Sequence, residues 1–237
     1  ITVLQERFTR PDGSYKEKMN RYFSDVTGNQ RSQNPHMHLL EAALALSNRC
    51  ESSQYKSLVA SLLKLFNDKF LDKRKLVIRE YLDSNFYPDK EIGHIIEPGH
   101  HYEWAWLLDR TAETLDQPQL KDLGARILSR SLEFGWDLEF DGIFDQINLT
   151  DVSILKSSKR LWPVLELIKA LCVYPSDRNF IYLNNCLKIV LERYLKKTGT
   201  WIEHYTQDWQ MVSDKMPVSS AYHLGMACLE LDKFNDS

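Results

Sequence analysis

The chain has 237 residues, of which 43% are hydrophobic and 27% charged, the composition of a folded globular protein. This length fits one large domain or two small ones, and we expect a single domain over residues 1–237. The net charge of −3 arises from interspersed acids and bases, which excludes the basic surface that nucleic acids require. The apolar runs fall far short of the roughly 20 residues that cross a bilayer, so we expect no membrane partner either.

The cysteines and the first residues bear on the cellular compartment. The four cysteines are widely spaced without a CxxC motif, and three lie in helical patterns of apolar residues, which favours buried, reduced thiols. The opening sequence ITVLQERFTRPDG lacks the charged start and apolar stretch of a secretory signal. We therefore expect a cytoplasmic protein.

Apolar residues recur at three- and four-residue steps through most of the chain, which predicts helices. The low counts of 9 Gly and 8 Pro agree with a helical protein. The pattern predicts eight helices, at residues 38–46, 55–70, 77–86, 102–115, 120–136, 162–173, 180–195 and 222–231. The short links at 87–89, 116–118, 174–176 and 197–199 contain Pro or Gly, and such links favour antiparallel helix neighbours.

Two segments break the helical pattern. Residues 140–145 and 199–205 are predicted to be short hairpins or extended loops with aromatic side chains, each after a long helix. Two helices followed by such a loop, without signals for parallel strands, predict an α/α toroid or solenoid, although no clean sequence repeat is visible.

The densest polar cluster is EPGHHYEWAWLL, residues 97–108, where Pro98 and Gly99 end a loop and a helix follows. His100 and Glu103 are three residues apart and so share a helix face. A carboxylate beside an imidazole fixes its tautomer and raises its basicity, as a general base requires. The same residues are also consistent with a capping histidine and a first-turn glutamate favoured by the helix dipole.

A second cluster, RSQNPHMHLLEA at residues 31–42, offers Asn34 as a helix cap with Pro35 at the first helical position. His36 and His38 are two residues apart, so on a helix their rings point about 200° apart and cannot share one metal ion. Metal ligation is therefore the weaker interpretation, and His38 with Glu41 on one face is the better-supported pair. A polar helix start without further function is the alternative.

Two more clusters lie in the second half of the chain. In KRLWPVLE, residues 159–166, Trp162 and Glu166 are adjacent on a helix face, and an aromatic platform beside a carboxylate suits a sugar. The ordinary alternative is the edge of the core beside a solvated charge. In SDKMPVSSAYHL, residues 213–224, a loop delivers His223 into the last helix, where a single histidine is usually structural.

Each polar cluster stands where a loop passes into a helix. In a closed ring of helix pairs these junctions meet at one mouth, so the clusters together predict one pocket. The sequence contains no Gly-rich phosphate loop and no GxGxxG, HExxH or GxSxG motif. Nucleotide cofactors, zinc proteases and serine hydrolases are thereby disfavoured.

The segments NPHMHLLEA, EPGHHYEWAWLL, KRLWPVLE and MPVSSAYHL, in that order between residues 34 and 224, resemble the N-acylglucosamine 2-epimerase superfamily. This group includes N-acylglucosamine 2-epimerases, cellobiose 2-epimerases, mannose isomerases and related aldose-ketose isomerases. The resemblance implies an all-α fold, an (α/α)6 barrel with its active site at one end. Family members are longer and begin with helices that this chain does not contain. We therefore expect the C-terminal part of an incomplete barrel.

The resemblance also implies roles for individual residues. His100, in PGHxxEW, and His223, in YHL, resemble the two catalytic histidines, and Glu103 resembles the carboxylate that supports the first.

Substrate-binding positions are implied in the same way. Asn34 and His38 look like a substrate-contacting pair, while Trp162 and Glu166 match the W-P-x-x-E segment of the family. The remaining histidines match no catalytic position: His36, His94, His101 and His204.

The implied activity is proton transfer on a sugar, without cofactor or metal. The tryptophan after the glutamate in HHYEW resembles the mannose-isomerase type, so we expect an isomerase that interconverts an aldose and a ketose, mannose/fructose-like, through a cis-enediol. An N-acylglucosamine or cellobiose 2-epimerase is the alternative, because two histidines flanking C2 serve either reaction. A small-molecule sugar is the expected partner, and a homodimer is compatible with this reading.

Two alternatives of other classes remain. α/α toroids also host glycoside hydrolases, which use two carboxylates, and the candidates here are Glu103, Glu166, Glu203 and Asp208. The last alternative is a sugar-binding or scaffold fragment without catalysis.

Overall fold

A computed structural model of the chain describes residues 2–26, 28, 30–50 and 52–236. The described residues contain seven α-helices. They are α1 (Asn34–Ser47), α2 (Ser53–Leu65), α3 (Pro98–Leu115), α4 (Gln119–Gly135), α5 (Leu161–Val173), α6 (Asp177–Ile189) and α7 (Val218–Asn235). None of these helices is both long and apolar enough to span a membrane.

Three π-helical turns and ten short strands complete the described secondary structure. The turns are Leu4–Phe8, Phe66–Phe70, which prolongs α2, and Val190–Tyr194, which prolongs α6. The strands are β1 (Arg31–Ser32), β2 (Leu71–Asp72), β3 (Val77–Ile78), β4 (Tyr81–Leu82), β5 (Ile95–Ile96), β6 (Gln146–Asn148), β7 (Ile154–Lys156), β8 (Lys159–Arg160), β9 (His204–Tyr205) and β10 (Met211–Ser213).

The chain forms two compact units. The first comprises Ile1–Ile95 with Arg110–Gln117, and the second comprises Ile96–Asp109 with Pro118–Ser237. In the first unit α1 packs against α2, and in the second α5 packs against both α6 and α7. The expectation of a single domain over residues 1–237 stays a prediction.

Helix α5 is the most deeply buried helix of the second unit, because its sequence LWPVLELIKALCV is apolar on nearly every face. Pro163 lies in the first turn, where a missing N–H does not break an intrahelical hydrogen bond. Only two of its residues are charged, Glu166 and Lys169, and both are fully buried. Helix α5 therefore brings a pair of charges into an apolar core.

Seven of the eight predicted helices are present, but the prediction of a helix at residues 77–86 is wrong, because this segment forms two strands. Val77 and Ile78 pair with β2, and Tyr81 and Leu82 pair with β1, each in antiparallel register. Over residues 78–82 burial alternates with a period of two, because Ile78, Glu80 and Leu82 are buried while Arg79 and Tyr81 are partly exposed. The spacing of the apolar residues mimics a helix, yet β3 pairs with the neighbouring β2, and β4 pairs with β1, which is distant in the sequence.

The two predicted hairpins are confirmed, and they belong to a structural repeat that the sequence does not reveal. Isolated antiparallel bridges join Trp136 to Ile143 and Leu195 to Trp201. Four times in the part of the chain that the structure describes, the carbonyl of the last residue of a helical segment accepts a hydrogen bond from the backbone N–H of the residue that closes a hairpin. These acceptor and donor pairs are Phe8 with Lys16, Phe70 with Arg79, Gly135 with Phe144, and Tyr194 with Ile202.

The residue after each of these hairpins is an acid that binds a segment near a helix start. Glu17 accepts from the Ser32 hydroxyl at 2.7 Å, just before α1, and Glu203 accepts from the Ser220 hydroxyl at 2.6 Å in the first turn of α7. Asp145 accepts from Arg160, directly before α5. These acids therefore fix the loop-to-helix junctions where the polar clusters lie.

Helices α3 and α4 approach closely at Gly135. A methyl group there would lie 2.6 Å from Cβ of Pro98 and 2.9 Å from the Tyr102 hydroxyl. We expect Gly135→Ala to lower the free energy of unfolding by about 1–3 kcal/mol, because these ring atoms cannot yield without moving α3. A methyl group added at Gly225 in α7 would meet no atom within 4 Å. Gly225→Ala should therefore raise the free energy of unfolding by about 0.5–1 kcal/mol. Urea unfolding of both variants checks this, and equal signs would contradict it.

Candidate active site

Two histidines of the second unit lie against one indole ring. The ring centroid of Trp162 lies 5.0 Å from that of His100 and 5.7 Å from that of His223. His100 stands in the first turn of α3, Trp162 in that of α5, and His223 near the start of α7. The structure therefore brings together the two histidines that were predicted to be catalytic, although they are distant in the sequence.

The indole of Trp162 is held in place by a close contact with α3. A methyl group at Gly99 would lie 2.5 and 2.6 Å from two carbons of this indole, so only a glycine lets the helix start and the ring approach this closely. Gly99 and His100 are neighbours, and the same contact therefore places His100 beside the indole.

His223 is bound to a buried carboxylate. Its Nδ1 lies 2.7 Å from Oε1 of Glu166, and the Glu166 side chain is fully buried. An ionised carboxylate only accepts hydrogen bonds, so Nδ1 carries the proton and, in the neutral ring, Nε2 carries the lone pair. Glu166 thereby selects the tautomer that can act as a base through Nε2.

Lys169 keeps this carboxylate ionised. Its Nζ donates to Oε1 of Glu166 at 3.1 Å and lies 2.9 Å from Oε2, and both side chains are fully buried. Burial by itself would raise the pKa of Glu166, but the charge of Lys169 and the hydrogen bond from His223 outweigh it, so the pKa lies below its usual value. Lys169 also stacks on Trp106, with Nζ 3.9 Å from the centre of the indole.

Glu166 is in contact with His223 and Lys169, and its predicted contact with the substrate stays a prediction. Glu103, on α3, was predicted to support His100. It is fully buried, and one of its oxygens lies within 4.8 Å of ligand atoms of Glu166 and His223. Its support of His100 stays a prediction.

Glu103, Glu166 and His223 have the side chains and the spacing that could hold a metal ion. The carboxylate of Glu166 is already shared between an ammonium group and an imidazole N–H. A divalent cation there would face the charge of Lys169, which disfavours this use of the cluster.

Asn34 and His38, the predicted substrate-contacting pair, belong to the first unit. Both are exposed in the first two turns of α1. The predicted pairing of His38 with Glu41 is confirmed, with Nδ1 of His38 3.9 Å from Oε2 of Glu41. That Asn34 and His38 bind substrate stays a prediction.

The neighbouring histidines are structural, and their hydrogen bonds show why. Nδ1 of His36 lies 2.8 Å from the carbonyl of Ser32, and Nε2 accepts from the N–H of Tyr15 at 2.9 Å. Nδ1 of His101 lies 3.0 Å from the carbonyl of Glu97. Burial, the largest cause, lowers the pKa of His36 to about 4 and that of His101 to about 3. Both rings are neutral supports of the helix starts.

Sequence reasoning missed Lys169 and a second ion-pair group around Arg160. The guanidinium of Arg160 donates to Asp145 and to Glu97, at 3.2 Å from the latter, and lies 5.3 Å from the indole centre of Trp162. Lys169 could have been found as a lysine three residues after a glutamate in an otherwise apolar helix. Arg160 lies within the quoted motif KRLWPVLE, but its partners are far away in the sequence.

Of the acids considered for glycoside hydrolysis, Glu203 is buried and hydrogen-bonded, whereas Asp208 is exposed. Glu203 accepts from the Ser220 hydroxyl and, at 3.1 Å, from the indole N–H of Trp201, and burial raises its pKa. Asp208 is exposed on the loop between β9 and β10. The described contacts therefore use Glu203 to anchor α7.

The comparisons with known proteins show the family of the chain. The model of the family N-acylglucosamine 2-epimerase (GlcNAc 2-epimerase) matches residues 1–227. The chain belongs to this family. It is 30% identical over 211 residues to a mannose-6-phosphate isomerase of Rhizobium meliloti (strain 1021), which covers 84% of this chain and 54% of the relative. It is 24% identical over 222 residues to a cellobiose 2-epimerase of Dictyoglomus turgidum, covering 86% of this chain and 54% of the relative.

The solved structures show the fold. A crystal structure of a D-mannose isomerase superposes with a TM-score of 0.85 at 18% identity, over 98% of this chain and 64% of the other. The predicted fold class, the (α/α)6 barrel of the N-acylglucosamine 2-epimerase family, is thereby confirmed. The chain spans about half the length of the curated relatives that it matches.

The buried histidines predict acid sensitivity. The folded state keeps His36 and His101 neutral below the unfolded pKa of 6.5, so unfolding takes up protons there. Their contribution to stability is complete above pH 6.5 and is lost as the pH falls toward about 4 for His36 and about 3 for His101. Each histidine should contribute up to about 1.4 kcal/mol per pH unit to the slope of the unfolding free energy against pH.

Urea unfolding at pH 7, 6 and 5 measures this slope. His101→Gln should reduce it by the share of one histidine, whereas His94→Gln, at an exposed position, should leave it unchanged. An unaltered slope in His101→Gln would contradict the assignment.

Proposed function

We propose that the protein interconverts an aldose and a ketose, of the mannose and fructose type, by histidine-mediated proton transfer through a cis-enediol. One observation supports this above the others: His100 and His223 lie against the same indole, and His223 is held in the basic tautomer by Glu166. Two relatives whose names describe isomerases of mannose or its phosphate point to the same chemistry.

The reaction requires a base, an acid and a platform. With Nδ1 bonded to Glu166, His223 takes the proton from C2 through Nε2 while the C1 carbonyl oxygen gains a proton from an acid, which gives the enediol. The same imidazolium then returns its proton to C1 as the O2 hydroxyl loses its own. His100 is the second acid-base group, for ring opening and for the oxygens.

The indole of Trp162 provides a surface for the C–H face of the sugar. Aromatic rings bind such faces while hydroxyls point outward to polar groups. Both histidines border this ring, so a sugar stacked on it would present its first carbons to imidazole nitrogens. This arrangement holds the reacting groups in place before the proton moves.

The charges near the platform favour a neutral sugar. Arg160 is the cation beside Trp162, but Asp145 and Glu97 both bind it, and Lys156 pairs with Asp145, so the four groups together carry no net charge. The charge of Arg160 is therefore already compensated and offers little attraction to the two negative charges of a sugar phosphate. We therefore propose an unphosphorylated hexose, in contrast to the name of one relative.

A 2-epimerase is the second candidate, because the same two histidines could also serve epimerisation. Epimerisation takes the C2 proton from one face and returns a proton to the other, so it needs an acid-base group on each side. One relative is named a cellobiose 2-epimerase.

Glycoside hydrolysis is not favoured. Inverting and retaining hydrolases need one protonated and one ionised carboxylate beside the scissile bond. Here Glu166 is bound by Lys169 and His223, and Glu203 by Ser220 and Trp201. These contacts use the carboxylates to hold other groups.

Heavy-water NMR with the full-length protein tests the proposal. We expect mannose to give fructose with deuterium at C1, because the transferred proton exchanges with solvent on the imidazole, and we expect much slower turnover of mannose 6-phosphate. Glucose, N-acetylmannosamine and cellobiose complete the panel. Deuterated C2 epimers without a ketose would establish the epimerase instead. Reducing sugar released from an oligosaccharide would indicate a hydrolase, and binding without deuterium a non-catalytic protein.

Substitution of the histidines tests their roles. His223→Asn and His100→Asn should each lower kcat by about 10²–10⁴-fold, the usual contribution of a general acid or base. Circular dichroism should show the fold retained. His94→Gln, at an exposed position, should keep normal kcat. Near-normal turnover in either of the first two variants would remove that histidine from the mechanism.

A further inference from the structure

Lys169 is a second charge behind the His223–Glu166 pair. It lies one helical turn after Glu166 on α5, and its side chain has no exposed surface. Burying an ammonium group is strongly unfavourable unless it is paired, and here it is paired with the carboxylate that binds the histidine.

The position of Lys169 is fixed on two sides. Nζ reaches both oxygens of Glu166, at 3.1 and 2.9 Å, and lies 3.9 Å from the indole centre of Trp106 on α3. The ammonium group is therefore enclosed between a carboxylate and an aromatic face, both of which favour the charged form. Lys169 contacts Glu166, and Glu166 contacts His223. We call this chain of contacts from the core to the histidine the charge relay.

We propose that Lys169 is a positioning residue that sets the basicity of His223 through Glu166. An isolated carboxylate would hold the imidazolium strongly, and a protonated His223 cannot remove a proton from sugar. The positive charge of Lys169 offsets the negative charge of Glu166. The carboxylate therefore still holds the proton on Nδ1 of His223, but it stabilises the imidazolium, with its second proton on Nε2, less strongly. The inference rests on the proposed function for its catalytic meaning, but the charge relay itself can be measured without a sugar.

Other charged groups of the second unit also face His223. In the described contacts, the charged or titratable side chains near it are Glu166 and Lys169 from α5, Glu103 from α3, Glu203 from the segment before β9, and His100 and Arg160 beside Trp162. Three of these are carboxyl groups. Arg160 is bound by Asp145 and Glu97, whereas Lys169 is the cation paired with the carboxylate that binds His223. Its loss should therefore increase the negative potential at the imidazole.

The chain offers a matched control in Lys159. This side chain is also fully buried, with Nζ 2.9 Å from Oδ2 of Asp137 and 4.6 Å from the indole centre of Trp209. It shares with Lys169 a buried carboxylate partner and an aromatic face. Its partner Asp137 does not bind a histidine in the described contacts.

The test compares Lys169→Met, Lys169→Gln and Lys159→Met by NMR titration of the histidine rings in the full-length protein without sugar. We expect the midpoint of the His223 titration to rise by about one pH unit or more in both Lys169 variants, because a nearby cation has been removed. Gln can still donate a hydrogen bond to Glu166, so an equal shift in both variants assigns the effect to charge. Lys159→Met should leave the midpoint unchanged.

Kinetics give a second measurement. In the Lys169 variants the acid limb of the kcat profile should move to higher pH with the titration, and kcat at pH 7 should fall by up to about tenfold for each pH unit of that shift while KM changes little. If Lys169→Met does not fold, Lys169→Gln carries the test. An unchanged His223 midpoint in a folded Lys169 variant would overturn the proposal, as would an equal shift in Lys159→Met. A shifted midpoint in a protein that converts no sugar would retain the relay and reject the proposed function.

Discussion

The second unit is organised around one buried negative charge, the carboxylate of Glu166. A lone carboxylate in an apolar core is strongly destabilised, so Glu166 requires a cation and hydrogen-bond donors. Lys169 satisfies this requirement from the same helix and His223 from α7. Because the three groups must meet, α7 is held against α5 in one register and the imidazole in one orientation. Stability and the geometry of the proposed active site therefore depend on the same contacts.

A second set of carboxylates organises the loops. After each of four hairpins the chain places an acid, and Glu17, Asp145 and Glu203 bind polar groups that stand before or within the first turn of a helix. Some polar side chains at these junctions hold the loop, and others are those that we propose to face the substrate. This explains why the sequence shows its polar clusters there, and why the members of one cluster differ in role.

The histidines illustrate that difference. His100 and His101 are neighbours, and consecutive residues on a helix point about 100° apart. His101 therefore turns toward the core, where its ring meets Phe134 and its Nδ1 meets the carbonyl of Glu97, while His100 meets Trp162. Composition alone does not show which of the two histidines is catalytic. The resemblance to the family selects His100, because this residue stands in the motif PGHxxEW. Burial against α4 makes His101 a neutral structural residue.

The sequence by itself determined the helices, the hairpins at 140–145 and 199–205, and the family, because periodicity, turn residues and ordered motifs are local signals. It failed at residues 77–86, where Val77, Ile78, Tyr81 and Leu82 imitate helical spacing but form two strands, one paired with β2 nearby and the other with β1, which is remote in the sequence. Only the tertiary structure decided that Glu166 binds His223 and that Lys169 stands behind it. The reason is physical: a hydrogen bond between α5 and α7 depends on how two helices pack, and no local pattern records which carboxylate reaches which imidazole.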